Sequence, residues 1–357
     1  MKKSLPYFTY LLLALFLCTC DSAQNIEGAD DATDVDSTSE KPAVPRIIFD
    51  TDIGGDIDDL GALYALHVYA DSGLCEIAAV MSSWSMEHHV EGIDAINTYF
   101  GRGDTPVGKY VDGPYSKEEY TWWLGEKFPR DLKYASAPGA TPLYRELLAA
   151  AADTSLTIVV TGRVNNVYEL MESPPDSISP MSGMDLIAAK VKAFYIMGGN
   201  YVRTGKAEAN FKWSGPGVAK YVIENCPRPI TLNGGIIGNR EDGYGTGTAI
   251  NDLPEDHLMR SGYGYFFQHP PEWSGLAPSD TIPEWSIWDI ITVQVAVTGT
   301  EDYFTVVDEG SVAFDDAELT TWVAEPDGPH RFLKPKMNPK RYADEVIQPL
   351  LVRNPKY

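Results

Sequence analysis

The run Asp50-Thr51-Asp52-Ile53-Gly54-Gly55-Asp56-Ile57-Asp58-Asp59 places five aspartates within ten residues. Apolar Ile47-Ile48-Phe49 precedes it, and Leu60-Gly61-Ala62-Leu63-Tyr64-Ala65-Leu66 follows. The pattern is that of a strand, a loop and a helix that begins at about Asp58, with Asp58 as its cap. Carboxylates crowded between two core-forming runs repel one another and lose hydration unless a cation neutralises them. The stretch therefore predicts a hard-cation site, with oxygen ligands, at the carboxyl end of the first strand.

Beyond this loop the chain alternates. Leu74–Ser82 and Leu156–Val160 are continuous apolar or β-branched runs, as expected of strands covered on both faces. Strand patterns recur at Pro106–Gly108, Val191–Met197 and Pro229–Leu232, with helical spacing at His88–Phe100, Thr141–Ala152, Val164–Met171 and Gly217–Asn225. Such alternation predicts a single α/β domain with a doubly wound, mostly parallel sheet and helices on both faces. Tyr110–Ala140 reads as a long irregular connection carrying Tyr115, Tyr120, Trp122, Trp123 and Phe128. After Gly234 the pattern loosens. A second aromatic stretch, Tyr263–Trp288, precedes a buried helix at Asp289–Val297, strands near Tyr303–Val307 and Thr320–Val323, and a last helix at about Pro339–Val352.

The chain has 357 residues, 44% of them hydrophobic, and a formal charge of -23. That balance argues against nucleic acid as a partner, because a phosphate backbone is held by Lys and Arg. It leaves a neutral small substrate open.

The first 19 residues read as a targeting segment, with Lys2 and Lys3 before the apolar Leu11–Leu17. Leu17-Cys18-Thr19-Cys20 resembles a bacterial lipoprotein signal in which Cys20 is acylated and becomes the first residue. Thr19 departs from the usual pattern, and a secretory signal without lipid is the alternative. Residues 20–45, acidic and rich in Ser, Thr, Ala and Asp, read as a disordered tether, and 46–357 as the folded domain. The expected location is the bacterial cell envelope, lipid-anchored outside the cytoplasm. Cys75 and Cys226 read as buried thiols rather than a disulfide.

Three known patterns compete for the acidic loop. An EF-hand fails, because its bidentate Glu position is Gly61 and a strand precedes the loop. A phosphatase of the haloacid dehalogenase type also opens with Asp-x-Asp after a strand, but needs no Asp58-Asp59 pair, and a companion lysine motif is not clear. The segment DTDIGGDIDDLGAL resembles the signature of the inosine-uridine-preferring nucleoside hydrolase family, Asp-x-Asp-Pro-Gly-x-Asp-Asp, with Ile53 in place of Pro and two more residues in the loop. Further landmarks follow in the family's order: Thr161-Gly162 after a strand, Ala207-Glu208-Ala209-Asn210, and Trp288-Asp289 opening an apolar helix.

That resemblance implies one Ca²⁺ held by Asp52, Asp59, the Thr161 carbonyl and Asp289. It implies a nucleoside or related ribosyl substrate, with Asp58, Glu208 and Asn210 on the sugar and Asp52 as the base that activates water. The open-sheet rule places a ligand in the same crevice. Asn200 is a further expected substrate contact, and Asp50 and Asn166 are expected braces. The purpose of Asp56 is left open. Many family members carry His before the last Asp; here it is Trp288, expected to stack on the base. His88, His89 and His269 are the alternative leaving-group acids. A non-catalytic Ca²⁺-dependent sugar-binding lipoprotein is the rival reading. The family resemblance also implies a possible homo-oligomer.

Overall fold

The computed structural model describes residues 44–111, 117, 119–201 and 205–356. The expected signal segment, Cys20, residues 20–43 of the expected tether, and Tyr115 lie outside the described residues. No helix among the described residues is long and apolar enough to cross a membrane.

In chain order the elements are β1 (Arg46–Thr51), α1 (Asp58–Asp71), β2 (Glu76–Ser82), α2 (Glu87–Tyr99), β3 (Val107–Lys109), α3 (Tyr120–Lys127), α4 (Ala140–Ala150), β4 (Leu156–Val160), α5 (Asn165–Glu172), α6 (Gly183–Lys190) and β5 (Val191–Met197). They continue with α7 (Ala209–Trp213), α8 (Val218–Asn225), β6 (Ile230–Asn233), α9 (Leu258–Gln268), α10 (Trp288–Thr298), β7 (Phe304–Val307), β8 (Gly310–Phe314), β9 (Thr320–Ala324), β10 (His330–Pro335), α11 (Pro339–Tyr342) and α12 (Gln348–Leu351).

Eight strands form one sheet in the order β3-β2-β1-β4-β5-β6-β10-β7, and β8 with β9 forms a separate hairpin. All neighbours in the large sheet run parallel except β7 against β10. The expected doubly wound α/β domain is therefore the observed one. From β1 the chain winds outward through β2 and β3, then returns to place β4 on the other side of β1. The winding reverses there, and the carboxyl ends of β1 and β4 flank the crevice where open sheets bind ligands.

Side-chain alternation along β1 feeds two cores. Ile47 and Phe49 join α1, α2, α3, α9 and α10 on one face of the sheet, while Ile48 joins α4, α5, α6 and α8 on the other. All three side chains are fully buried.

Several boundaries differ from the sequence reading, for physical reasons. The supposedly irregular 110–140 stretch contains α3, whose buried Tyr120 and Leu124 are too few to declare a helical period. The loosened region contains α9, obscured because Phe266, Phe267 and Tyr263 pack inward beside exposed or half-exposed aromatics. α6, β8 and β10 went unread. β10, His-Arg-Phe-Leu-Lys-Pro, shows neither a continuous apolar run nor alternation, and it is recruited to the sheet by pairing with β6 and β7. The last helix is broken by a π turn at Ala343–Ile347. Both thiols are free, Cys75 buried but Cys226 only half-buried.

Candidate active site

The site is assembled from the ends of regular elements. The Thr161 N–H donates to the Asp50 carbonyl at 2.8 Å, and the Ser83 N–H donates to the Thr51 carbonyl at 2.8 Å. These bonds extend the β1 ladder to the point where the acidic loop leaves it. α1 begins at Asp58, with Ile57 rather than Asp58 in the cap position. Asp58 and Asp59 thus occupy the first turn, where the partial positive end of the helix favours a carboxylate. α10 packs beside α1 and presents Asp289 in its own first turn. Gly61 permits that approach: a Cβ there would meet Ile290 Cδ1 at 2.6 Å.

One carboxylate oxygen each from Asp58, Asp59 and Asp289 lies within 4.8 Å of the others, and all three residues are buried. The Asp289 N–H donates to Asp58 Oδ2 at 3.3 Å. Asp59 Oδ1 accepts from the hydroxyls of Thr51 and Thr161. Asp52 lies outside this tight trio but lines the same cleft, as do Asp56 and Thr161.

Burial and mutual repulsion dominate the electrostatics. Burial, only partly offset by the Arg163 guanidinium, pushes the Asp52 carboxyl up to about 7. Burial pushes Asp50 up to about 7 and Asp56 up to about 6. Asp58, Asp59 and Asp289 lie well above the usual carboxylate range, through burial first and then repulsion by neighbouring aspartates. A buried, oxygen-only donor set with excess negative charge fits a hard divalent cation.

The structure assigns places to the residues that the sequence left open. Asp50 is fully buried; Tyr144 Oη donates to its Oδ2 at 2.8 Å and Asn166 Nδ2 to its Oδ1 at 3.0 Å. Asn166 also reaches the Ser82 carbonyl at 3.1 Å, so it braces the strand ends rather than capping α5. Asp56 Oδ1 accepts from Trp285 Nε1 at 2.7 Å and from the Ile57 N–H at 2.7 Å. Tyr120 Oη ties the loop from outside, accepting from the Gly54 N–H and donating to the Asp56 carbonyl, each at 2.7 Å. Gly54 has φ +115, and the His89 ring fills the space where a Cβ would sit. Only glycine satisfies both demands.

Glu208, Asn210, Asn200 and Trp288 all line the cleft. Glu208 is also the cap of α7, accepting from the N–H groups of Asn210 at 2.9 Å and Phe211 at 3.1 Å. Asn210 Nδ2 donates to the Thr161 carbonyl at 2.8 Å, which joins the two halves of the expected constellation. Asn200 Nδ2 is bonded to the Lys206 carbonyl at 2.9 Å, so its donor braces a loop. Trp288 Nε1 donates to the Gly235 carbonyl at 2.8 Å, which fixes the indole plane. Of the three histidines weighed from sequence, His89 alone lines the cleft. His88 pairs with Glu91 at 3.2 Å, and His269 stacks on Tyr265 at 4.3 Å.

Sequence reasoning missed Trp84 and Trp213, which line the cleft beside Trp273 of the second aromatic stretch. Their segments have no shared motif, and only folding brings them together. The one available signal was tryptophan adjoining recognised landmarks, as Trp213 follows Asn210 by three residues.

A doubly wound sheet whose strand ends open on a buried, all-oxygen acidic floor defines a class of hydrolase that works with a bound metal ion. The profile of the inosine-uridine preferring nucleoside hydrolases matches residues 47–317, and the chain belongs to that metal-dependent family. It is accordingly an N-ribosyl hydrolase rather than a binding protein alone. No curated protein matches the chain in sequence. Solved structures with the same fold include a plant nucleoside hydrolase, 18% identical, with TM-score 0.59 over 87% of this chain and 99% of that one. The inosine-uridine preferring nucleoside hydrolase from Bacillus anthracis is 14% identical, with TM-score 0.56 over 86% and 99%. The type III effector protein XopQ, solved in complex with adenosine diphosphate ribose, is 14% identical, with TM-score 0.59 over 87% and 96%.

Proposed function

We propose that the protein hydrolyses the N-glycosidic bond of purine or pyrimidine ribonucleosides, with Ca²⁺ as its metal, to give ribose and free base. The observation that carries this reading is the convergence of Asp58, Asp59 and Asp289 within 4.8 Å, beside Asp52 and Thr161. Asp52, Asp59, Asp289 and the Thr161 carbonyl would hold the ion. When bound, Ca²⁺ supplies a fixed positive centre that orients ribose hydroxyls and makes a neighbouring water more acidic.

The chain's own groups supply the rest. Asp52 accepts the proton of the attacking water. Asp58 keeps Oδ1 for a ribose hydroxyl while its Oδ2 accepts from Asp289. The anomeric carbon gains positive, oxocarbenium-like character, and the buried carboxylates stabilise it without reorganising. Glu208 and Asn210 hold the far side of the sugar. The face of Trp288 stacks on the base, an interaction worth about 1–3 kcal/mol.

The test is release of ribose from a panel of nucleosides, with Ca²⁺ present and after its removal. Calcium-dependent release supports the reading. No release from any nucleoside, with metal bound and the fold intact, overturns it.

The same proposal includes the envelope location, with Cys20 acylated and residues 20–45 as a spacer. Fatty-acid labelling should mark the intact chain and be lost in Cys20→Ser; equal labelling of both would refute the anchor. Assembly of the folded domain into a homo-oligomer completes the proposal. Sedimentation at a monomer's mass throughout the micromolar range would remove that part.

A further inference from the structure

The cleft is larger than its floor requires. It encloses about 890 Å³, toward the upper end of the roughly 300–1,000 Å³ typical of small-molecule sites. Its charge is divided by depth. Asp52, Asp58, Asp59, Asp289 and Glu208 are buried, whereas the lining cations Lys117 and Lys206 are exposed. Lys117 pairs with Glu119 at 2.7 Å.

The aromatic walls are divided as well. Trp84 is held under the Arg163 guanidinium at 4.4 Å, and Trp288 is fixed by its bond to Gly235. Trp213 and Trp273 are 51% and 57% exposed, and they are the only exposed tryptophans among the described residues. An indole half in water gains free energy when a flat ring covers it. Both line the same cleft as the buried carboxylates of the floor.

Three cleft-lining side chains that could face a departing base, those of Trp288, Asp56 and His89, have their polar atoms engaged by the protein. Trp288 donates its only N–H to Gly235. Asp56 Oδ1 receives two N–H groups and so acts as a carboxylate acceptor. His89 has Nε2 3.3 Å from Glu119, and burial holds its ring toward the neutral form. A base that leaves without taking a proton suits this arrangement.

We propose that the preferred substrate is a pyridinium-ribosyl dinucleotide, with its reacting ribose on the acidic floor, its anionic linker at Lys206 and Lys117, and its second ring against Trp213 and Trp273. This rests on the N-ribosyl hydrolase reading and names the substrate of the same site. The chemistry balances without an acid. The water oxygen bonds to the anomeric carbon, and its proton passes to Asp52. The carbon–nitrogen bond breaks with its electron pair going to the ring nitrogen, which cancels the pyridinium charge, so the base departs neutral. Before cleavage that cation is attracted by indole faces and buried carboxylates.

The experiment uses the full chain with Ca²⁺ and compares kcat/KM for NAD⁺, nicotinamide riboside, inosine and uridine. NAD⁺ should be the best substrate, followed by nicotinamide riboside. In Trp213→Ala and Trp273→Ala, the loss for NAD⁺ should exceed the loss for nicotinamide riboside by about 5- to 150-fold, the range for removing a ring stack. Melting temperatures of the variants report that each is folded. Equal losses for the two pyridinium compounds, or equal kcat/KM for them in the parent protein, overturn the outer subsite. Faster turnover of inosine or uridine than of both pyridinium compounds overturns the proposal and leaves the hydrolase standing. No turnover of any of the four overturns both.

Discussion

The floor and the rim of the cleft are built on opposite principles. The floor places buried carboxylates on strand ends and first helical turns, several of them held by bonds such as Tyr144 to Asp50 and the Asp289 N–H to Asp58. The rim places exposed tryptophans beside short elements, Trp213 closing the five-residue α7 and Trp273 in a single 3₁₀ turn. A floor group changes the energy of the whole domain when it is altered, because it sits in low dielectric with fixed partners. A rim group stands in water, and its removal is felt only when a ligand covers it.

That contrast can be broken, beginning where the effect is largest. Asp52→Asn should lower kcat by about 10²–10⁴-fold, the usual contribution of an acid–base group. Retention of more than a tenth of the parent rate would remove Asp52 from its role as base.

Chelation of the metal should come next. A cation present at 100 times its dissociation constant stabilises the fold by about 2.7 kcal/mol, which a thermal melt with and without chelator reads directly. The sign with pH is fixed by the upward shifts. In the metal-free protein Asp50 and Asp52 titrate near 7, against 3.8 in the unfolded chain. The folded state therefore binds the extra protons, and stability present below about pH 4 is lost as pH rises through 7. The chelated protein should melt higher at pH 5 than at pH 8, and added Ca²⁺ should narrow the gap. A melting temperature that rises with pH after chelation would contradict the buried, unneutralised floor.

Tyr144→Phe removes a donor to a buried carboxylate. It should destabilise the domain by about 1.5 kcal/mol, as expected for a hydrogen bond to a charged group, measured by urea unfolding. The smallest effects belong to the rim, where Trp213→Ala and Trp273→Ala should move unfolding free energy by no more than about 0.5 kcal/mol. A larger change in either would mean that the rim is part of the packed structure and that the contrast with the floor is false.

The chain's legibility follows the same division. β4 was readable to the residue because a strand buried on both faces admits only a continuous run of apolar or β-branched residues, and β5 because its apolar residues are interrupted by Lys192 alone. The acidic loop was readable because so many charges between two apolar runs need a common explanation. β10 was not, because Phe332-Leu333 between His330-Arg331 and Lys334-Pro335 declares no strand period, and it takes its place by pairing with β7 and with β6, about 100 residues earlier in the chain. Asp56 was unassigned in sequence because its partner Trp285 lies 229 residues away. Glu208 reads simply as a sugar contact, and only the folded chain shows that the same carboxylate caps α7.

By itself the sequence determined the α/β class, the family resemblance and the identity of the floor. Those rest on local apolar periodicity and on charge density within one loop, which neighbouring residues express without help from distant ones. The tertiary structure decided that Asp58, Asp59 and Asp289 form the tight trio while Asp52 stands beside it. It also decided that His89 reaches the cleft while His88 and His269 turn elsewhere, and that four scattered tryptophans share its walls. Those are distances between segments far apart in the chain, and distance is set by how the helices pack on the sheet.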